Sequence, residues 1–267
     1  MTVTSGPLDG VSTLVTRPRH QADNLCAQLS AAGADVVRFP VLEIVPLAPT
    51  PVLEAGLDRI DEQQLLVFTS VNAVTMLMEL LASRGRRFPR SVLCAAVGVS
   101  TGEALERAGA GEVLIAPPPC NSEALLALPQ LQDLRGTAAM LITGEGGRGL
   151  LEPSLRGRGA EITRLDVYRR VLPDTDPAIL RSWLQRTQPC IVLITSVDAL
   201  DNLLQLAGKD WRERLLERDL VTIAPRIAEA AGQRGWRGTI TVTRPFDAAV
   251  VQGIVGWWQQ ARKRMHS

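Results

Sequence analysis

Histidine and tyrosine are the scarcest reactive residues of this 267-residue chain: histidine occurs twice, as His20 and His266, and tyrosine once, as Tyr168. His20 stands ahead of an expected helix and His266 in the C-terminal tail, so a nucleophile–histidine triad and a histidine-ligated metal centre both lack parts. The four cysteines, Cys26, Cys94, Cys120 and Cys190, are widely spaced and form no CxxC pair. Buried thiols are the expectation, with no metal and no organic cofactor. An excess of either charge is also missing, since 29 Lys and Arg face 28 Asp and Glu. Without a protein-wide field to recruit nucleic acid, any anionic ligand has to be held locally. No apolar run approaches the roughly 20 residues of a membrane span, and no basic segment precedes an apolar stretch at the N-terminus. A cytoplasmic chain with no membrane partner is expected.

What is present is a globular balance, 46% hydrophobic and 21% charged residues, in a chain long enough for two cores. Short apolar runs ending in Thr, Ser, Gly or Pro alternate with segments of helical period, the pattern of βαβ units around parallel sheets. The runs are STLVTRP, ADVVRFP, LLVFTS, LCAAVG, EVLIAP, AAMLITG, AEITRLDVY, CIVLITS, LVTIAP and GTITVT. Helices are predicted to begin near Gln21, Val71, Thr101, Ser122, Leu150, Val197, Ile227 and Asp247.

An internal repeat organises these elements. FTSVNAVTMLMEL from residue 68 matches ITSVDALDNLLQL from 194, and AVGVSTGEALERAG from 96 matches TIAPRIAEAAGQRG from 222, a common spacing of 126. A weaker third pair sets TLVTRP near the start against MLITGE from residue 140, so the copies are not in simple tandem. The economical arrangement puts residues 1–40 and 174–267 in one discontinuous domain and inserts residues 41–173 as the second, each with about five parallel strands. The crossings VLEIVPL and LDVYRRVLP, about 41–47 and 165–173, are extended in character and are predicted to pair antiparallel as a two-stranded linker.

In open parallel sheets, ligands bind beyond the carboxyl ends of the strands, where helix N-termini expose N–H groups and partial positive charge. The small polar residues gather at such places: Thr16 and Arg17, Thr69 and Ser70, Ser100 and Thr101, Thr195 and Ser196. Ser70 and Ser196 also sit where N-caps belong, and capping is compatible with anion binding. The loop GEGGRG, residues 144–149, spells GxGxxG after a strand, with Asp166 beyond it. Against a dinucleotide site, Pro153 interrupts the helix that should start at the glycines. A use that fits better lets Gly146 bring backbone N–H groups close to carboxylates while Arg148 supplies charge. Tyr168, in DVYRR, is expected at the mouth of the cleft between the domains, its phenol able to donate a proton or a hydrogen bond.

In sequence order LVTRP, FPVLEIVPL, FTSVNAV, AVGVSTGEAL, GEGGRG, DVYRR, and ITSVDAL with IAPRIAEAA resemble the uroporphyrinogen-III synthase family over residues 13–255. The resemblance implies an α/β fold of two flavodoxin-like domains joined by the two-stranded ladder. It also implies a monomeric, cofactor-free lyase of porphyrin and heme biosynthesis, with hydroxymethylbilane bound between the domains. In that family the substrate loses water from its terminal hydroxymethyl group, inverts ring D through a spiro intermediate and closes as the type III isomer. By the family pattern Tyr168 matches the tyrosine that assists departure of the hydroxyl, and Thr101 a cleft threonine. Where relatives carry a hydroxyl in the second-copy turn, this chain has Ala224, Pro225, Arg226 and Ile227, which leaves that contact to the backbone or to Arg226. Arg17, Ser70, Gly146, Arg148 and Ser196 complete the expected substrate contacts. Two rival readings use the same residues: a hinged, non-catalytic binding protein for a polyanionic small molecule, and an NAD-dependent oxidoreductase built on GEGGRG.

Overall fold

The computed structural model describes residues 6–146 and 149–265. The chain divides into two compact units: one takes it up to Glu43 and again from Val171, the other holds Ile44–Arg170. The first unit opens with β1 (Ser12–Val15), α1 (Arg19–Ala31) and β2 (Asp35–Arg38). The second follows as β3 (Glu43–Pro46), α2 (Pro51–Asp58), β4 (Leu65–Phe68), α3 (Val71–Ala82), β5 (Leu93–Ala96), α4 (Val99–Ala108), β6 (Val113–Ile115), α5 (Ser122–Leu126), β7 (Ala138–Gly144), α6 (Leu151–Gly157) and β8 (Glu161–Val171). The chain then returns to the first with α7 (Pro177–Leu184), β9 (Cys190–Ile194), α8 (Val197–Leu216), β10 (Asp219–Thr222), α9 (Pro225–Gln233), β11 (Ile240–Val242) and α10 (Asp247–Met265).

In the first unit the strands lie in the order β2-β1-β9-β10-β11 and pair parallel throughout. Counted within the unit this is 2-1-3-4-5, a common doubly wound order. The second sheet runs β8-β7-β4-β5-β6, also parallel, with β3 hydrogen-bonded to the outer edge of β8. Its order is the same 2-1-3-4-5 if β7 is taken as the first strand, so the chain enters this sheet partway round and finishes with the strands that begin the other.

Runs such as LLVF in β4 and CIVLI in β9 are buried at every position. That is the consequence of covering a parallel sheet on both faces. Successive residues point to opposite faces: Leu14, Val192, Ile194 and Leu220 pack with Trp183 and Leu203 on one side of the first sheet, and Val15, Ile191, Leu193 and Val221 with Leu25 and Trp257 on the other. In the second unit Leu65, Val67, Ala139 and Leu141 pack against Leu125 and Leu155 of α5 and α6. Two helices lie outside the predicted set. α2 starts on Thr50, whose Oγ1 accepts from the Leu53 N–H at 3.1 Å, and α7 on Asp176, whose carboxylate accepts from the Ala178 N–H at 2.8 Å. Each has proline at its first position, where the missing N–H costs nothing. Read as a breaker, the same proline hides the helix.

Cys94 on β5 is fully buried, and burial pushes its thiol up to about 12 from an ordinary 9.0. The folded state therefore holds this proton more tightly than the unfolded chain. Its contribution to stability is complete below about pH 9 and is lost as pH rises from there toward 12. The alkaline fall in urea-unfolding stability is expected to be shallower in Cys94→Ala than in the parent, and parallel curves would contradict this. Cys26, Cys94 and Cys190 are buried and Cys120 is half-exposed, so a thiol reagent at pH 8 should label Cys120 first in the native protein, as peptide mapping would read.

Candidate active site

Parallel pairing brings the carboxyl ends of β8, β7, β4 and β5 to one edge of the second sheet, and four of the candidate residues lie along it. β4 ends where Ser70 caps α3, its Oγ accepting from the Ala73 N–H at 3.2 Å. β5 leads through Gly98, the N-cap of α4, to Thr101 in the first turn of that helix, 5% exposed. β7 ends at Gly144, and Gly146 follows in an exposed turn with φ of 75°. Arg148 lies outside the described residues.

Tyr168 stands on β8 directly opposite Gly144, at a register shift between Thr143 and Gly144. The mouth of a cleft is expected for this residue from the sequence, and the whole residue is 0% exposed. The reason is local. A Cβ built on Gly144 would lie 2.5 Å from two ring atoms of Tyr168, so only glycine lets the phenol ring lie flat over the end of β7. The Glu145 N–H donates to the Tyr168 carbonyl at 2.9 Å and holds the two strands together past the shift. The phenol oxygen lies 3.0 Å from Ser70 Oγ, and Arg170 Nη2 donates to it at 3.1 Å. The Arg170 guanidinium carbon also stands 5.4 Å from the ring centroid. Beside them Thr69 and Thr143 share a hydroxyl–hydroxyl hydrogen bond of 2.9 Å across the ends of β4 and β7.

The first unit carries the other three candidates at the carboxyl edge of its own sheet. Arg17 follows β1, but its guanidinium is engaged: Nη1 lies 2.5 Å from Asp247 Oδ1, while Asn24 Nδ2 donates to the other carboxylate oxygen at 2.9 Å. The residue expected as a substrate contact is thus half of an ion pair, with a partner 230 residues away in sequence. Ser196 caps α8 as Ser70 caps α3, accepting from the Ala199 N–H at 3.0 Å. Arg226 is exposed in the first turn of α9, and the adjacent Ile227 is fully buried in the core.

The loop from Gly144 leads to a helix of seven residues that begins at Leu151, with Leu150 as a cap that makes no side-chain hydrogen bond. It does not supply the tight glycine-to-helix junction on which a dinucleotide pyrophosphate rests. Among the described residues no three of His, Cys, Asp and Glu come together as a metal-ligating group. A cavity of about 330 Å³ beside β3 and β8 is lined by Thr50, Glu145, Arg164, Asp166 and Arg169, and neither Ser70 nor Tyr168 reaches it. Arg170 is the site residue that sequence reasoning passed over. Its signal was available, since residues two apart on a strand share a face.

A family model described as uroporphyrinogen-III synthase HemD matches residues 23–252. The uroporphyrinogen-III synthase of Escherichia coli strain K12 is 32% identical over 228 residues, 85% of this chain and 93% of that protein. That of Synechococcus elongatus is 29% identical, over 83% of this chain and 86% of its own. Among solved structures, a mutant uroporphyrinogen III synthase from Thermus thermophilus shares the fold with a TM-score of 0.66 at 22% identity, covering 95% of this chain and 99% of that one.

Adding a methyl group at Gly144 is expected to destabilise the protein by about 1–3 kcal/mol, the usual range for overpacking a filled site. Urea unfolding of Gly144→Ala, alone and combined with Tyr168→Ala, measures it. Most of the cost should vanish in the double variant, because the ring that collides is gone; an equal cost in both backgrounds would mean that the ring is not its cause.

Proposed function

Because the chain belongs to the uroporphyrinogen-III synthase family, a family of cyclizing lyases in porphyrin biosynthesis, we propose that its substrate is hydroxymethylbilane and that Tyr168 supplies the proton on which the hydroxyl leaves. Both units are, in this reading, flavodoxin-like, one inserted in the other, and the shared 2-1-3-4-5 strand order supports it. Hydroxymethylbilane carries eight carboxylates, while the protein is close to neutral. Helix N-termini at the carboxyl edge of a sheet are a local answer to the mismatch. The N-terminal ends of α3, α4, α8 and α9 offer main-chain N–H groups, each such end worth about 0.3–1 kcal/mol toward an exposed anion and up to about 2 when partly buried. Arg226 adds an exposed cation. Arg17 serves instead to hold the start of α10 through Asp247, and its own contribution to substrate affinity is correspondingly small.

The pyrrole nitrogen of the substrate can itself expel the hydroxyl, so the protein's share of the chemistry is modest. It has to protonate the departing oxygen and hold ring D so that its substituted carbon attacks, excluding the easier unrearranged closure. The observation that carries the assignment of Tyr168 is its hydrogen bond to Ser70, which connects the chain's one phenol to a helix N-cap at the carboxyl edge of the sheet.

Purified protein fed hydroxymethylbilane should give the type III isomer, resolved from type I by chromatography; wholly type I product would sink the assignment. Tyr168→Phe is expected to lower kcat by at least about tenfold while KM stays within about twofold, as befits a group that acts on the leaving oxygen and not on the carboxylates.

A further inference from the structure

The geometry points to a directed hydrogen-bond chain, Arg170 to Tyr168 to Ser70, in which Ser70 is the group that hands the proton to the substrate and Arg170 is the positioning residue that sets the direction. The inference rests on the reading of Tyr168 as proton source and adds two residues to it.

The direction follows from donor and acceptor accounting. Guanidinium groups only donate, so the Arg170 contact occupies the phenol oxygen as acceptor. The phenol has one proton of its own, and among the described residues the acceptor within reach is Ser70 Oγ at 3.0 Å. Were Ser70 to donate instead, the phenol proton of a fully buried residue would face no acceptor among the described residues, a state that buried donors avoid. Ser70 Oγ therefore accepts from Tyr168 and, at 3.2 Å, from the Ala73 N–H. Both of its lone pairs are engaged, and its own hydrogen is left to point outward. Ser70 is half-exposed at the edge of the sheet, whereas Tyr168 is fully buried. A substrate hydroxyl can touch the serine without any movement of the tyrosine.

The proton count closes. The carbon–oxygen bond of the hydroxymethyl group breaks, the electron pair leaves with the oxygen, and that oxygen takes the Ser70 proton and departs as water. Ser70 takes the phenol proton in the same step, and the pyrrole nitrogen lone pair fills the vacancy at the methylene carbon, giving a cationic azafulvene. The negative charge comes to rest on the phenol oxygen next to the Arg170 guanidinium, which also lies over the ring. When ring closure later releases a proton from the attacked pyrrole, it returns along the same path and restores the phenol.

Steady-state kinetics of the full chain on hydroxymethylbilane tests this. Ser70→Asn keeps a side chain that caps a helix but no hydroxyl proton to pass on, so it separates the two uses of the residue. It should lower kcat about as far as Tyr168→Phe does, with KM within about twofold, and the double variant should be no slower than the slower single by more than about twofold, because the two act as one unit. Ser70→Thr, which retains both cap and hydroxyl, should recover most of the lost rate. Arg170→Gln should lower kcat and leave KM in place. A fully active Ser70→Asn, or effects of Ser70→Asn and Tyr168→Phe that multiply, would overturn the chain. An Arg170→Gln protein with raised KM and parental kcat would overturn the positioning role and make Arg170 a carboxylate contact. Parental turnover by Tyr168→Phe removes the tyrosine itself, whereas a slow Tyr168→Phe beside a fast Ser70→Asn removes only the relay.

Discussion

Parallel strand pairing is the constraint from which the rest of this structure follows. A parallel sheet needs a crossover after each strand, and where the crossover is a helix its N-terminus opens at the carboxyl edge of the sheet. Two such sheets give a nearly neutral protein, with 29 basic and 28 acidic side chains, several points of fixed positive potential without a single added cation. The serines at Ser70 and Ser196 close individual helices, and their placement on that edge is inherited from strand direction. Capping at these residues is therefore compatible with the ligand contacts proposed for them, because both uses call for the same edge.

The strand orders also account for the repeat. The two sheets share one order, entered at different points, so β7 and β8 of the second unit stand where β1 and β2 stand in the first, and β4 and β5 where β9 and β10 stand. The matching blocks at residues 68 and 194 are β4 with α3 and β9 with α8; those at 96 and 222 are β5 with α4 and β10 with α9. The weak match of the opening residues to the segment near 140 is β1 against β7. A block that comes first in one unit and late in the other is what such an entry produces, and this made the α/β architecture readable from the chain alone.

Reading stopped where a property depended on two distant segments. Central strands such as β4 and β9 are legible because burial on both faces removes polar residues from them, and a turn residue that ends each run marks it. The crossing strand β3 lies inside the extended segment expected at 41–47, whereas the proline-started α2 and α7 carry weaker signals, since eight residues barely establish a period and proline is read as a stop. The burial of Tyr168 depends on a register shift that brings it opposite Gly144, and no local pattern encodes that pairing. The ion pair of Arg17 is hidden for the same reason: its partner Asp247 belongs to the last helix. Glycine at 144 was noticed only as part of GEGGRG, a loop motif, while its structural use is the absent Cβ that makes room for a ring.

That absent Cβ also explains why two similar sheets need not share the chemistry equally. In the repeat, Thr16 and Arg17 after β1 stand against Thr143 and Gly144 at the end of β7. Thr16 Oγ1 donates to the Leu193 carbonyl at 2.5 Å, and Thr143 Oγ1 shares its bond with Thr69, so the threonines brace both sheets in comparable ways. The next residue diverges. With glycine there, a ring from the neighbouring strand covers the backbone and reaches the serine cap of α3. With arginine there, the side chain turns to Asp247 instead. Ser196 then caps α8 with its hydroxyl accepting from the Ala199 N–H and no phenol behind it. Both edges keep their helix N-termini, and the phenol stands behind one of them. In the proposed reading that asymmetry suits a substrate with one hydroxyl to lose, because the acid assigned to Tyr168 sits where a glycine left room for its ring.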